Sequence, residues 1–141
     1  MNVVTECIFC RIVAGQAPAH EVFDDGEVKA FMDAFPAAPG HVLVIPYRHF
    51  ENVFDIDAVA MAAVADAVRK TAGAIRRALA PDGLTISQAN GAAAGQSVAH
   101  YHVHLIPRTQ GRKLRSHGTE AAVQAAPLAA MAQRIRAAWS E

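Results

Sequence analysis

The spacing of hydrophobic residues changes several times along the chain, and each spacing predicts a different element. Residues 20–24 and 27–33 flank Asp25-Gly26, a turn dipeptide that predicts a β-hairpin. Residues 41–46 are almost continuously apolar, which indicates a strand buried on both faces. Residues 84–90 alternate between apolar and polar side chains, so we expect a further strand there.

Helical patterns occur between and before these strands. Residues 7–14 predict a short helix that stops at Gly15. A long helix is expected to begin at an Asp55 or Asp57 cap and to end near residue 80. Its apolar face is formed by residues at helical spacing, namely Met61, Val64, Val68, Ala72, Ile75 and Leu79.

The pattern weakens after residue 107. Thr119-Glu120 can start a helical stretch, and Pro127 predicts the first position of a final helix. The apolar face of that helix comprises Leu128, Met131, Ile135 and Trp139. Strands, a long helix, more strands and a last helix, without regular alternation, predict an α+β fold with an antiparallel sheet. The length of 141 residues and the lack of repeats or linkers predict a single domain over 1–141.

Composition and charge narrow the classes of function. Hydrophobic residues make up 52%, and 13 basic residues balance 13 acidic ones. A net charge of zero provides no field for nucleic acid or an anionic membrane, so we expect neither partner. The one basic cluster, Arg108, Arg112, Lys113 and Arg115, is interpreted as a solvated loop.

Several absences favour a cytoplasmic protein. No apolar run reaches the roughly 18 residues of a membrane span. Glu6 and Arg11 interrupt the apolar residues near the start, which does not resemble a signal peptide. In the cytoplasm, Cys7 and Cys10 are expected to be thiols or metal ligands rather than a disulfide.

Residues 99–107 carry the most informative pattern in the chain. His100, His102 and His104 alternate with Tyr101, Val103 and Leu105. Alternate residues of a strand share a face and lie roughly 6–7 Å apart, so the histidines should face one side and the apolar residues the core. A glycine-bearing loop, residues 90–97, comes just before and could bring backbone N–H groups to an anion.

Three interpretations of these histidines are open. A nucleophilic histidine could act beside groups that bind a phosphate. Several histidines could instead hold one metal ion, since His-x-His on a strand can place two imidazoles on it. A half-solvated strand that carries histidines by chance is disfavoured by their strict alternation.

Other candidate residues are ambiguous on their own. Cys7-x-x-Cys10 has a metal-ligand spacing, but a redox pair or two buried apolar thiols are alternatives. Asp33 ends a predicted strand, where it could bind hydroxyl groups or serve a turn. His49 lies in a loop, where a lone histidine is usually solvated.

At these residues the chain resembles the histidine triad (HIT) family, in particular its small Hint-like branch. The family pattern His-φ-His-φ-His-φ-φ, in which φ is apolar, fits residues 100–106 throughout. The resemblance spans residues 6–108 and leaves residues 109–141 as a C-terminal extension. Further segments match in family order: Ile8-Phe9, Ala30-Phe31-Met32-Asp33, Val42-Leu43-Val44-Ile45-Pro46, Asn90 and Gly95-Gln96-Ser97-Val98.

The resemblance implies a role for each candidate residue. His102 would attack the α-phosphorus of a purine nucleotide conjugate and form a nucleotidyl-histidine. His104 and Asn90 would hold the phosphate with Gln96 beside them, and Ser97 would protonate the leaving group. The ribose would bind Asp33, and the base would lie against an apolar wall of Ile8, Phe9 and Ile12.

The resemblance also implies a metal and an assembly. Some family members bind a structural zinc, and the matching positions here are Cys7, Cys10, His49 and His100. Related proteins are usually homodimers, so residues 42–45 or the long helix are candidate interfaces. His41 is a candidate supporting residue, and His20 and His117 have no assigned role.

Three functions are therefore weighed. The first is a nucleotide phosphoramidase or nucleotidyl hydrolase or transferase, favoured by the presence of both His102 and Ser97. The second is a nucleotide-binding interaction module with little turnover. The third is a metal hydrolase in which all three triad histidines bind one catalytic ion. The physiological leaving group is not encoded in any motif that we recognise.

Overall fold

The computed structural model describes residues 6–115 and 125–140. Its helices are α1 (Ile8–Val13), α2 (Ala58–Leu79) and α3 (Ala125–Ala137). Its strands are β1 (Glu21–Asp24), β2 (Val28–Met32), β3 (Val42–Pro46), β4 (Gly83–Ser87) and β5 (Val103–Arg108). The α+β prediction is confirmed: the five strands form one sheet in the order β1-β2-β3-β5-β4, and every neighbouring pair is antiparallel.

The two faces of the sheet support two hydrophobic clusters, because successive side chains of a strand point to opposite faces. On one face, Val44, Val103 and Leu105 pack against α2 and α3, which contribute Ile75 and Ile135. Each of these two isoleucines is fully buried, a state worth roughly 1.5–3 kcal/mol per side chain.

The opposite face carries the cluster that adjoins the site. Phe31, Leu43 and Ile45 pack there against the buried side of α1. The register pairs Phe31 with Leu43 and Leu43 with His104, so these three side chains lie in a row across the sheet. An apolar floor and a histidine are thereby placed next to each other.

The long helix has the cap that its sequence predicts. The side chain of Asp57 accepts a hydrogen bond from the Ala60 N–H at 2.8 Å, so Asp57 is the N-cap. Asp55 instead accepts from the backbone of Glu51 and Asn52 in the preceding turn. None of the described helices is long and apolar enough to cross a membrane.

Three boundaries differ from the sequence-based expectation. The histidine strand begins at Val103 rather than at residue 99, so His100 and His102 precede it. The strand predicted over 84–90 ends at Ser87. Pro127 is the third helical residue rather than the first, and it remains in the first turn, where a missing N–H is tolerated.

The predicted interface at residues 42–45 is wrong. Strand β3 lies between β2 and β5, and all of its residues are buried within the chain. Of the two candidate interfaces, α2 therefore remains. The expected helical stretch at Thr119-Glu120 and the unassigned His117 lie outside the described residues.

Candidate active site and metal centre

A cavity of about 760 Å³ opens on the α1 face of the sheet. His102 and His104 lie at one end of it, and Asp33 and Ser97 also contribute to its lining. The predicted base wall is there too, since the lining includes Ile8, Phe9 and Ile12. The cavity therefore brings together most of the residues that the sequence nominated, although they come from α1, β5 and two loops.

The hydrogen bonds of His102 determine which of its nitrogens can react. Its ring is 5% exposed, and Nδ1 lies 2.7 Å from the carbonyl oxygen of His100. A carbonyl only accepts, so Nδ1 must carry the proton and Nε2 must carry the lone pair. The edge of the Phe9 ring packs against the imidazole, with 5.2 Å between ring centroids. The arrangement holds the ring in one tautomer and one orientation.

His104 has the opposite tautomer, and His41 enforces it. The Ala37 N–H donates to Nδ1 of His41 at 2.9 Å, so the proton of His41 lies on Nε2. That Nε2 is 2.9 Å from Nδ1 of His104, which must accept. The proton of neutral His104 then lies on Nε2. The ring centroids of His104 and His102 are 4.9 Å apart, so an N–H donor lies beside a ring nitrogen with a lone pair.

Asp33 completes this buried group. It is 4% exposed, and its Oδ2 lies 3.5 Å from Nε2 of His41. Its Oδ1 accepts from the Phe35 N–H at 2.8 Å, so the turn function and a place in the cavity lining occur together. The prediction for His41 was incomplete, because the sequence showed only that it precedes a buried strand.

A second cluster joins α1 to the triad. Sγ of Cys7 lies 3.4 Å from Nδ1 of His100, and Sγ of Cys10 lies 3.3 Å from Nδ1 of His49 and 3.6 Å from Nδ1 of His100. All four ligand atoms lie within 4.8 Å of one another. Tetrahedral zinc bonds to sulfur and nitrogen imply a sulfur-to-nitrogen separation of about 3.6 Å, so the cluster fits such an ion.

His100 is prepared for coordination by its surroundings. It is completely buried, and burial lowers its pKa from 6.5 to about 4 because the charged ring is poorly solvated there. Nε2 donates to the Pro46 carbonyl at 2.9 Å, which leaves the Nδ1 lone pair directed at the cysteines. Cys7 is also the N-cap of α1, since its Sγ accepts from the Cys10 N–H at 3.3 Å.

The structure separates the histidines that a catalytic metal would need to share. His100 belongs to the cysteine cluster, whereas His104 belongs to a group with Asp33 and His41. Among the described residues, these are the two groups with metal-ligand spacing, and neither contains all three triad histidines. The two outer histidines of the triad therefore belong to different clusters, and His102 belongs to neither.

The loop before the triad uses four of its backbone N–H groups for hydrogen bonds within the loop itself. Its 3₁₀ turn, Ala92–Ala94, and the residues around it use their backbone donors internally; those donors are Gly91, Ala94, Gly95 and Gln96. Gly95, Ser97 and Val98 do line the cavity. The expectation of an N–H cradle is therefore wrong for these four groups.

Asn90 and Gln96 brace this loop. Asn90 accepts from the Val53 N–H at 2.8 Å and exchanges hydrogen bonds with Gln88. Gln96 accepts from Gly91 and donates to the carbonyls of Glu51 and Val98. Neither of the two is part of the cavity lining, so their predicted contact with phosphate remains a prediction.

The sequence analysis missed part of the lining. His20, Phe35, Leu43 and Leu128 line the cavity. Leu43 could have been found, because it shares a face of β3 with Ile45 and pairs with His104 on the neighbouring strand. No local pattern could predict that Leu128 lines the cavity, because it reaches the cavity only when α3 packs on the sheet.

The fold and both clusters define a class of protein. Three closely spaced histidines lie at and just before the start of β5, and two of them, His102 and His104, line a largely apolar cavity. The model of the HIT domain matches residues 14–111, and the chain belongs to the HIT family.

Individual relatives agree with this assignment. The chain is 45% identical to Protein hit of Bacillus subtilis over 108 residues, which cover 77% of this chain and 74% of that protein. It is 30% identical to Adenylylsulfatase HINT3 of Arabidopsis thaliana over 135 residues, which cover 92% and 68% of the two chains.

Solved structures extend the likeness to three dimensions. A Hit-like protein from Bartonella henselae, with an unknown ligand, has a TM-score of 0.90 and 38% identity over 98% of this chain and 99% of that one. A Zn-bound histidine triad family protein from Mycobacterium smegmatis has a TM-score of 0.82 and 34% identity over 94% and 91% of the two chains.

Proposed function

We propose that this protein is a nucleotide hydrolase or nucleotidyltransferase that cleaves purine nucleotide conjugates at the α-phosphate through a nucleotidyl-His102 intermediate. The observation that carries this proposal is the pair of opposite tautomers in the cavity. Nδ1 of His102 is committed to the His100 carbonyl, and Nδ1 of His104 is committed to His41. One ring therefore offers a lone pair where its neighbour offers an N–H.

The chemical step follows from this pairing. The Nε2 lone pair of His102 forms a bond to the α-phosphorus, and the bond from phosphorus to the leaving group breaks. The His100 carbonyl stabilises the positive charge that develops on the ring, since it holds the Nδ1 proton. His104 donates its Nε2–H to a phosphate oxygen. Water then attacks the phosphorus and the phosphorus–Nε2 bond breaks, which releases the nucleoside monophosphate and restores neutral His102. The proton that the water loses replaces the one that Ser97 gives to the leaving group.

Other cavity residues supply positioning and a proton. Ser97 is exposed in the cavity lining, so its hydroxyl can protonate the leaving group. Asp33 accepts from ribose hydroxyls, and α1 provides the apolar wall for the base. Contact with the base through Ile8, Phe9 and Ile12 is nonpolar, so discrimination between purines should be modest. We retain Asn90 and Gln96 as proposed phosphate contacts. Because neither lines the cavity, the loop would have to move to bring them to the phosphate.

We propose that the metal of the cysteine cluster is a structural Zn²⁺ held by Cys7, Cys10, His49 and His100. Two thiolates and two imidazoles form a closed ligand set, and such sites contribute to folding rather than to a chemical step. Binding would fix α1 against the residue that precedes the catalytic strand. Reduced thiols of this kind suit the cytoplasm, which is the compartment we expect.

The homodimer implied by the family remains a proposal, with α2 as the candidate interface. Val59 on α2 is 78% exposed and Ile86 on the adjacent edge strand β4 is 51% exposed, so apolar side chains are available there. Sedimentation velocity of the wild type and of Ile86→Lys tests it. A monomer in both samples would contradict the proposal.

The leaving group is best sought among AMP conjugates. The Arabidopsis relative is called an adenylylsulfatase, and the phosphorus–nitrogen bond of a phosphoramidate is a second target of a histidine nucleophile. The test incubates the protein with AMP joined to an amine, to sulfate, to an acyl group or to phosphate, and follows AMP release. Rapid quenching and mass spectrometry should find the nucleotidyl group on the peptide that contains residues 99–107.

The matched variant is His102→Ala. It should reduce turnover at least roughly thousandfold, because the nucleophile is lost. AMP should still bind, since the cavity walls are unchanged. Binding without turnover of any conjugate by the wild type would favour the interaction module instead. Near-normal turnover by His102→Ala would exclude the histidine mechanism.

A further inference from the structure

The basic residues after β5 lie in a solvated loop, as the sequence indicates, since residues 109–115 are all exposed. The segment folds back on the sheet and on α2: the Arg115 N–H donates to the Ala37 carbonyl at 2.8 Å, and the Gln110 N–H donates to Asp82 Oδ2 at 2.8 Å. A cavity of about 440 Å³ results between this segment, the end of α2 and α3. Its charged lining residues, which define the basic cavity, are Asp82, Arg108, Arg112, Lys113, Arg115 and Arg134.

The charge of the basic cavity is strongly unbalanced. Five cationic side chains line it against the single carboxylate of Asp82. The end of α2 adds about half an elementary negative charge, and Arg134 already meets it by donating to the Ala78 carbonyl at 3.3 Å. When Arg115 is left out of the count, a surplus of about two to three positive charges remains among the described residues of the cavity, although the whole chain has a net charge of zero.

Arg108 provides a second, independent observation. Its Nη1 donates to Thr85 Oγ1 at 3.1 Å, whereas its Nε is buried and has no hydrogen-bond partner among the described residues. A buried charged donor without an acceptor is costly, so this atom calls for an acceptor that the described part of the chain does not supply. Arginine donors match phosphate and sulfate oxygens especially well.

We propose that the basic cavity binds a small anion with at least two phosphate or sulfate groups. Its cations come from β5, the following segment and α3, so they surround a compact volume from several sides. Nucleic acid recognition would instead call for an extended basic stripe, which suits a net-neutral chain poorly. The proposal does not depend on the nucleotide chemistry of His102, because none of these charged residues lines the nucleotide cavity.

Calorimetric titration of the full-length protein with phosphate, pyrophosphate and tripolyphosphate tests this proposal. We expect affinity to rise with the number of phosphate groups and to fall as salt is added, because each group meets further cations. The double variant Arg112→Gln/Lys113→Gln should weaken tripolyphosphate binding by about tenfold or more. Saturating AMP should leave that binding unchanged, since the two cavities are separate.

The matched control is Arg69→Gln/Lys70→Gln, which removes the same charge from the exposed face of α2. These side chains pair with Asp66 outside the basic cavity, so affinity should stay within about twofold. Absence of tripolyphosphate binding, equal losses in both double variants, or full competition by AMP would overturn the proposal. Tighter binding of a single-stranded oligonucleotide that is lost in Arg112→Gln/Lys113→Gln would also overturn it, in favour of nucleic acid.

Discussion

At the scale of single residues, His102 and His104 differ in the hydrogen-bond partner of Nδ1. Nδ1 of His102 meets a backbone carbonyl, while Nδ1 of His104 meets a third imidazole. The backbone partner persists whatever the side chains are, but the partner of His104 depends on His41. His41 is fully buried and does not line the cavity, so we regard it as a positioning residue.

Two amide variants separate the two hydrogen bonds of His41. His41→Gln retains a donor near the original Nε2, whereas His41→Asn retains an acceptor near the original Nδ1. Because the donor fixes the tautomer of His104, we expect Gln to preserve turnover and Asn to lower kcat by about tenfold. Steady-state kinetics and thermal unfolding of both variants measure this. Equal kcat values at equal stability would show that His41 has only a packing role.

The residue scale also shows what the sequence could predict. The alternation of histidines correctly assigned Tyr101, Val103 and Leu105 to the core. It did not place the start of β5, because His100 is directed at two cysteines that lie 93 and 90 positions away in sequence. Long-range ligand geometry overrides local periodicity there, and no local pattern reports it.

At the scale of elements, α1 is the clearest example of an element whose position depends on other parts of the chain. It has only six residues, too few for an isolated helix to persist in water. Its cysteines belong to the metal cluster, and Phe9 between them contacts both His100 and His102. The base wall therefore depends on the same cluster that keeps α1 in place.

Removal of the metal should act through this helix. Cys10→Ser should lower zinc content, melting temperature and AMP affinity together, because α1 loses its attachment to His100 and His49. The rate of transfer from bound substrate should change much less, since His102 keeps its carbonyl partner. Elemental analysis, thermal unfolding and single-turnover kinetics give the three readouts. A lost single-turnover rate with unchanged stability and affinity would place the metal in the chemistry.

Helix α3 makes a separate contribution, because it packs on the opposite face. Ile135→Ala removes a fully buried side chain and should cost about 2–5 kcal/mol of unfolding free energy. Gln133→Ala, on the exposed side of the same helix, is the control and should change stability little. Urea unfolding measures both. A similar loss for the two variants would mean that α3 does not dock as described.

At the scale of the whole molecule, the periodicity of hydrophobic residues predicted the main strands and helices but did not predict the cavities on the surface. The β1–β2 hairpin, the buried β3 strand and α2 were predictable because their signals are local. The basic cavity was not, since α3 brings Arg134 to a segment that is distant in sequence. The net charge of zero gave no indication that the basic cavity carries an excess of positive charge.

The strand order has a consequence for how the site comes into being. Residues 21–46 form the β1–β2–β3 part of the sheet and residues 83–108 form the β4–β5 part, and the two parts meet along one seam between β3 and β5. Both clusters straddle that seam: His41 faces His104, and Cys7, Cys10 and His49 face His100. The two parts of the sheet are distant in sequence, so a long loop between them must be closed before either cluster can form. Closing that loop costs conformational entropy.

Metal retention should therefore report on the integrity of the seam. We expect native-state hydrogen exchange of the Val42 and Val44 amides, which face β5, to require the same opening free energy as release of the proposed zinc, because a single opening of the seam would separate the zinc ligands on its two sides. Zinc release at a much lower free energy would contradict this. Equal free energies would mean that the proposed catalytic and metal-binding groups lie at a junction between two parts of the sheet and are complete only when those parts are paired.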